Sequence, residues 1–255
     1  MRRLPDPHHV KDRNVLRVKS NFVFTIILAA STLTAALPVA AAAQVGHAPN
    51  ASPYHYIPGI RSVSLTAGYV WGDVGRAGVG PSNGMLISAR ADIRLSGAVG
   101  VTLNGGVLAL ERTVIAPQAP LTERNLGVHR QSVPFADLGL ELLLTGRKTW
   151  RGFAPYIGGS VGVGVSQGVP EEQSGFSFGS KFFLIPNAGV RYHLSDRISL
   201  NMEMRDMVWR LSYPAEYFQE GEDGSAPVLD KAVHRNKEWT DHFVLTLGLA
   251  YGFGF

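Results

Sequence analysis

The C-terminal segment from Phe243 to Phe255 alternates strictly between large apolar and small or weakly polar side chains. The large residues are Phe243, Leu245, Leu247, Leu249, Tyr251, Phe253 and Phe255. Successive side chains of a β-strand point to opposite faces, so one face of this segment is wholly apolar. A membrane-spanning β-strand needs only about 9–11 residues. The pattern therefore predicts a strand with one face toward lipid and the other toward a narrow interior.

The same alternation recurs in seven earlier segments, in which apolar residues on one face oppose small or polar residues on the other. We predict these strands near 62–71, 85–95, 99–112, 136–144, 153–165, 180–194 and 198–208. With the C-terminal strand they make eight, and an even number is what closure of an antiparallel up-and-down barrel requires. The predicted fold is all-β: an eight-stranded antiparallel up-and-down transmembrane β-barrel.

Short and long connections alternate between these predicted strands. The short ones lie at 96–98, 145–152 and 195–197, and the long ones at 73–83, 113–132, 167–177 and 213–238. Outer-membrane barrels have short periplasmic turns and longer extracellular loops, so we expect the four long connections on the cell surface. A soluble lipocalin-like barrel is the competing interpretation. It would place its apolar face inside, whereas here the glycine-rich charged face suits a narrow interior.

The N-terminal residues 1–43 have the composition of an export signal. Six Lys and Arg residues precede an apolar stretch from Phe22 to Ala36, and Ala41-Ala42-Ala43 offers a cleavage site. A membrane anchor or a start codon further downstream is the alternative. We predict a signal peptide at 1–43 that is removed, a periplasmic lead-in at 44–60 and an outer-membrane barrel domain at 61–255.

Removal of this segment changes the charge of the protein. The full chain has 24 Lys and Arg and 20 Asp and Glu residues, and residues 1–43 hold six of the former and two of the latter, which leaves 18 of each. The basic pI therefore belongs to the presequence, and the remainder gives no reason to expect a nucleic-acid partner. The chain has no cysteine, which agrees with an exported protein without disulfides.

Eight charged residues fall on the inward face of the predicted strands. They are Arg90, Asp92, Arg94, Asp137, Glu141, Arg191, Glu203 and Arg205. The interior of an eight-stranded barrel is only wide enough for side chains to fill it, and buried charges require partners. Four cations against four carboxylates predict a network of ion pairs that plugs the lumen. A narrow gated path for ions or small solutes is the alternative.

Two short phrases, Phe153-Ala-Pro-Tyr-Ile-Gly-Gly and Gly189-Val-Arg-Tyr-His-Leu-Ser, accompany the strand pattern. With that pattern, they resemble the small outer-membrane barrel family of OmpA/OmpX-like transmembrane domains over residues 61–255. The resemblance implies the outer membrane of a Gram-negative-type cell, contact with its lipid and lipopolysaccharide, and a structural or surface-interaction role as a monomer. It also implies an assembly signal in Tyr251, Phe253 and Phe255, read by the barrel-assembly machinery.

Some eight-stranded barrels remove acyl chains from lipid A with a His/Ser pair, so His193, Ser195 and Asp196 are candidate catalytic residues. They lie at a predicted periplasmic turn, away from outer-leaflet lipid A, and Ser-Asp is common in ordinary turns. The phrase Gly158-Gly-Ser160-Val-Gly162 matches a nucleophile elbow but lies within a strand, not before a helix. We therefore predict no enzyme activity, no catalytic residue, no cofactor and no metal site.

Overall fold

A computed structural model describes residues 52–57, 61–168 and 174–253. Its strands are β1 (Tyr54–Tyr56), β2 (Arg61–Gly72), β3 (Gly84–Arg94), β4 (Val99–Ile115), β5 (Asn125–Leu143), β6 (Lys148–Trp150), β7 (Phe153–Ser166), β8 (Gly179–His193), β9 (Ile198–Ser212) and β10 (Lys237–Phe253). The predicted signal peptide at 1–43 and the terminal Phe255 lie outside the described residues. Within the described residues, no helix is long and apolar enough to cross a membrane.

Eight long strands pair in antiparallel order and close into a barrel. The order is β2, β3, β4, β5, β7, β8, β9 and β10, and β10 pairs with β2 from Phe253 opposite Arg61 to His242 opposite Gly72. This confirms the predicted fold. We call the end with residues 95–98, 144–152 and 194–197 the turn end. The opposite end, with residues 73–83, 116–124, 167–168, 174–178 and 213–236, is the loop end.

The outer surface of the barrel is apolar around its circumference. Leu65, Ile87 and Leu247 are 73%, 66% and 63% exposed, although each belongs to a well-formed strand. Residues of this kind would be costly in water over so large an area, which is why the surface suits lipid. Aromatic pairs flank it: the Tyr69 and Trp71 rings are 4.9 Å apart near the loop end, and the Phe153 and Tyr192 rings 4.7 Å apart near the turn end. Tyr251 and Phe253 are exposed on the same outer surface at the turn end.

The second long connection is shorter than its sequence indicates. Residues 113–132 were expected to form a loop, but β4 extends to Ile115 and β5 begins at Asn125, so only residues 116–124 connect them. The expectation was wrong because alternation disappears where a hairpin leaves the membrane. The outward face then carries exposed polar pairs such as Glu111 opposite Arg130, so the apolar outward signal is lost although Arg112 and Val114 on the inward face stay buried.

An additional short strand crosses the turn end. β1 pairs with β6, with Tyr54 opposite Trp150 and Tyr56 opposite Lys148. The backbone N–H of Ile57 donates to the carbonyl of Arg147 at 2.9 Å, which ties the end of this strand to the turn between β5 and β7. The sequence had suggested a plain lead-in here. We call residues 52–57 the strap.

Candidate functional site

Seven of the eight charged residues expected in the lumen form one connected network inside the barrel. They are Arg90, Asp92, Asp137, Glu141, Arg191, Glu203 and Arg205. All have side chains no more than 10% exposed. The alternation of β3, β5, β8 and β9 turns them inward, and the narrow interior brings them together.

Arg90 is the centre of this network. Its Nε lies 2.7 Å from Asp92 Oδ1, and its two terminal nitrogens donate to Glu141 and Glu203. Arg191 reaches two of the same carboxylates from the opposite wall, at 3.1 Å from Asp92 Oδ1 and 2.8 Å from Glu141 Oε2. Charge-assisted hydrogen bonds of this kind offset part of the cost of removing the ions from water.

The second part of the network surrounds Arg205. Its Nη2 lies 2.8 and 2.9 Å from the two carboxylate oxygens of Asp137, and its Nε lies 3.2 Å from Glu203 Oε1. Asn104 donates to Asp137 at 3.0 Å, and the Tyr156 hydroxyl donates to Glu203 at 2.8 Å. Glu203 therefore links the two parts of the network.

Arg94 does not join the network, contrary to the expectation of four cations. It lies at the turn-end mouth, and its one hydrogen bond among the described residues goes from Nη1 to the carbonyl of Ile57 at 3.4 Å. Arg94 follows Arg90 by four residues on the same face, which separates their backbones by about 13 Å along the strand. That distance places it below the charged layer.

Glycines on the inward face make room for the larger side chains. A Cβ on Gly189 would lie 2.5 Å from the Tyr156 hydroxyl oxygen, so only glycine leaves space for this ring. The ring in turn has the guanidinium groups of Arg90 and Arg191 at 5.7 and 4.9 Å from its centroid. Such cation–π contacts help to hold both guanidinium groups in place.

The loop-end half of the lumen is filled by apolar and aromatic residues instead of charges. Trp209 stacks on His242 with ring centroids 3.5 Å apart, and Phe183 and Phe178 lie 5.0 and 5.5 Å from Trp209. The sequence interpretation missed this layer. Its signal was present on β9, where Met207, Trp209 and Leu211 continue the inward face of Glu203 and Arg205.

Residues from the long connections cover this aromatic layer. The rings of Phe176, Tyr213 and Tyr217 lie 5.7 to 6.2 Å from one another. The Tyr213 hydroxyl donates to Glu238, whose other oxygen lies 3.4 Å from Arg76. Burial raises the pKa of Tyr213, and the hydrogen bond to Glu238 raises it further. Burial also raises the pKa of Tyr217.

The candidate catalytic groups are not arranged for hydrolysis. Ser195 Oγ accepts the backbone N–H groups of Arg197 at 3.3 Å and Ile198 at 3.1 Å, so it stabilises the turn. No hydrogen bond joins it to His193 within the described part of the chain. Ser160 lies in the middle of β7, 3.4 Å from Arg205, and not at a strand-to-helix turn.

No group of three or more His, Cys, Asp or Glu residues among those described could hold a metal ion. The carboxylates of the network share the Arg90 guanidinium group, which contacts Asp92, Glu141 and Glu203. The described lumen is therefore a packed interior in two layers, one charged and one aromatic.

Fold and lumen together define a small eight-stranded transmembrane β-barrel. No protein-family model matches the chain, and no curated protein matches it. Among solved structures, the outer membrane protein OprG from Pseudomonas aeruginosa shares 15% identity at a TM-score of 0.50, with 80% of this chain and 100% of that chain covered. This likeness supports the fold alone.

Two further solved structures cover a similar share of the chain. The N-terminal β-barrel domain of Pseudomonas aeruginosa OprF has 12% identity and a TM-score of 0.43, covering 76% of this chain and 99% of that chain. Neisserial surface protein A has 13% identity and a TM-score of 0.46, covering 76% of this chain and 97% of that chain.

Proposed function

We propose that this protein is an outer-membrane barrel with a closed lumen that acts through its loop end, in membrane integrity or surface contact. The observation that carries the proposal is the filled interior. The charged layer around Arg90 and the aromatic layer around Trp209 lie one above the other, so a solute would have to displace both. A packed lumen leaves the loops and the outer wall as the surfaces available for interaction.

The turn end faces the periplasm and the loop end the exterior in this proposal. Support comes from the lengths of the connections, since the turn after β3 spans residues 95–98 whereas the loop after β9 spans residues 213–236. The chain would be exported with a cleaved signal peptide, folded by the barrel-assembly machinery and held as a monomer among lipid and lipopolysaccharide.

Proteolysis tests this orientation. Trypsin added to intact cells should cut after Lys231 or Arg235 and leave the strands whole. Cleavage only after the cells are opened would reverse the orientation.

Conductance in planar bilayers tests the closed lumen. Refolded wild-type protein should show no steady conductance at moderate voltage. The variant Trp209→Ala should remain closed as well, because it opens only the aromatic layer and leaves the charged layer intact. Large, reproducible channels in the wild type would contradict the proposal and favour the alternative, a narrow pore for ions or small solutes.

A further inference from the structure

Aromatic residues form a continuous row across the strap and the outer wall at the turn end. The strand pairing places Tyr54 opposite Trp150 and Phe153 opposite Tyr192, and Trp150 lies opposite Phe153 across the turn between β6 and β7. Directly opposite residues of antiparallel strands point to the same face, and all four residues are between 38% and 52% exposed. Because Phe153 and Tyr192 belong to the outer wall of the barrel, the row extends that wall onto the strap.

Three exposed cations, Arg147, Lys148 and Arg151, accompany this row. Lys148 lies opposite Tyr56, and the guanidinium groups of Arg147 and Arg151 lie 4.9 and 5.2 Å from the ring centroids of Tyr56 and Trp150. None of the three has a carboxylate within ion-pair distance among the described residues. A guanidinium group stacked on a ring keeps N–H groups at its edge, so both arginines can donate to an anion.

Arg151 occupies a backbone position that disfavours it. Its φ of 51° lies in the left-handed region, and no other non-glycine residue in the described part of the chain has a positive φ. Glycine and asparagine adopt this conformation most readily, because a larger side chain crowds the backbone. The geometry of the turn alone therefore does not account for an arginine here.

The two ends of the barrel differ in charge. The described turn-end connections hold four cations, Arg147, Lys148, Arg151 and Arg197, against the single carboxylate of Asp196. The described loop-end connections hold four cations and seven carboxylates: Arg76, Arg124, Lys231, Arg235, Asp73, Glu123, Glu216, Glu220, Glu222, Asp223 and Asp230. The lumenal network and Arg94 together hold four of each sign, so they leave this difference unchanged. The turn end therefore presents surplus positive charge at its surface.

We propose that the turn end binds the phosphate groups of anionic phospholipids through Arg147, Lys148 and Arg151, beside the aromatic row. Tyrosine and tryptophan rings settle at the level of lipid headgroups, and each basic residue beside an anionic membrane surface strengthens binding by a factor of about five. In the orientation proposed above, these lipids belong to the periplasmic leaflet. The inference rests on the proposed placement of the barrel in a membrane, but it does not require a closed lumen.

Quenching of tryptophan fluorescence by brominated lipids tests the proposal. Refolded protein is placed in vesicles of phosphatidylcholine that contain a minor fraction of phosphatidylglycerol. The bromine is carried either by the phosphatidylglycerol or by an equal amount of the phosphatidylcholine. Enrichment of the anionic lipid around the wild type should make brominated phosphatidylglycerol the stronger quencher. Trp150→Phe should lose this excess quenching, because Trp150 lies in the aromatic row at the turn end.

Two triple variants locate the selectivity. The variant that combines Arg147→Gln, Lys148→Gln and Arg151→Gln should be quenched equally by the two brominated lipids. The matched control combines Arg130→Gln, Lys231→Gln and Arg235→Gln, which removes three exposed cations near the loop end and should keep the excess quenching. An undiminished excess in the turn-end variant would overturn the proposal.

Salt gives a second measurement on the wild type itself. An increase from 0.1 to 1 M shortens the Debye length from about 10 to 3 Å, so the excess quenching should fall. Equal quenching by the two lipids at low salt, or an excess that salt does not change, would overturn this inference alone. A wild-type chain that does not insert into the vesicles would contradict the membrane placement and this inference with it.

Discussion

Arg90 and Arg191 bind the same two carboxylates from opposite walls of the barrel. Asp92 Oδ1 lies 2.7 Å from Arg90 and 3.1 Å from Arg191, and Glu141 Oε2 receives a hydrogen bond from each. Two cations and two carboxylates thus alternate across the lumen and connect β3, β5 and β8. These contacts join strands that are not neighbours in the sheet, so the network fixes the cross-section of the barrel.

Replacement of Arg90 by Met should destabilise the barrel strongly. The change keeps an unbranched side chain but leaves Asp92, Glu141 and Glu203 without their shared cation. Removal of one partner of a buried ion pair costs about 3–5 kcal/mol. The measurement is urea unfolding in lipid vesicles, followed by the mobility shift between folded and unfolded barrel on gels. The control Arg130→Gln changes an exposed arginine and should unfold at about the same urea concentration as the wild type. Unchanged stability of Arg90→Met would contradict the structural role of the network.

Replacement of Gly189 by Ala should displace Tyr156 from Glu203. The new methyl group would lie 2.5 Å from the tyrosine oxygen and 2.6 Å from the carbonyl of Met202, and a backbone atom cannot move aside easily. Gly159→Ala is the control on the neighbouring strand, since its Cβ would meet nothing nearer than a carbonyl at 4.0 Å. We expect Gly189→Ala to unfold at lower urea and Gly159→Ala to match the wild type. Equal midpoints for the two variants would show that this space is not needed.

The direction of each side chain, inward or outward, is predictable because it alternates along a β-strand. Alternation assigns Arg90, Glu203 and Arg205 to the inside and Leu65 to the outside without any coordinates. Parity gives no height along the barrel axis, because that depends on the stagger of the strands. The spacing along β3 separates Arg94 from Arg90, but the pattern could not show which carboxylates of the other strands lie at the height of each arginine.

The aromatic layer and the strap could not be predicted from the sequence, for two other reasons. Trp209 lies just beyond the predicted end of its strand at residue 208, where Asp206 and Arg210 interrupt the apolar outward face and so end the recognisable alternation. The strap has only three paired residues, and its partner strand β6 is equally short. Their pairing depends on Ile57 packing against Leu143 and Ala154, a contact between distant parts of the chain.

The ionisation of Tyr213 should loosen the loop end at alkaline pH. Its pKa in the folded protein is raised above the ordinary value near 10, so its stabilising effect is complete below that pH and is lost as the pH rises further. Absorbance at 295 nm, taken as the difference between the wild type and Tyr213→Phe, should show this residue ionising later than N-acetyl-tyrosinamide. If Tyr213 ionised at the same pH as N-acetyl-tyrosinamide, its hydrogen bond to Glu238 would be absent in solution.

Replacement of Ser195 by Ala should destabilise the turn before β9 and leave lipid A unaltered. Hydrolysis requires a nucleophile within reach of a base, and Ser195 Oγ instead accepts two backbone N–H groups of its own turn. Mass spectra of lipid A should therefore be the same for cells that express the wild type, Ser195→Ala or no barrel. Loss of the serine side chain should cost roughly 1 kcal/mol, as for other hydroxyls that bind backbone donors. A deacylated lipid A that appears with the wild type and disappears in Ser195→Ala would establish an enzyme.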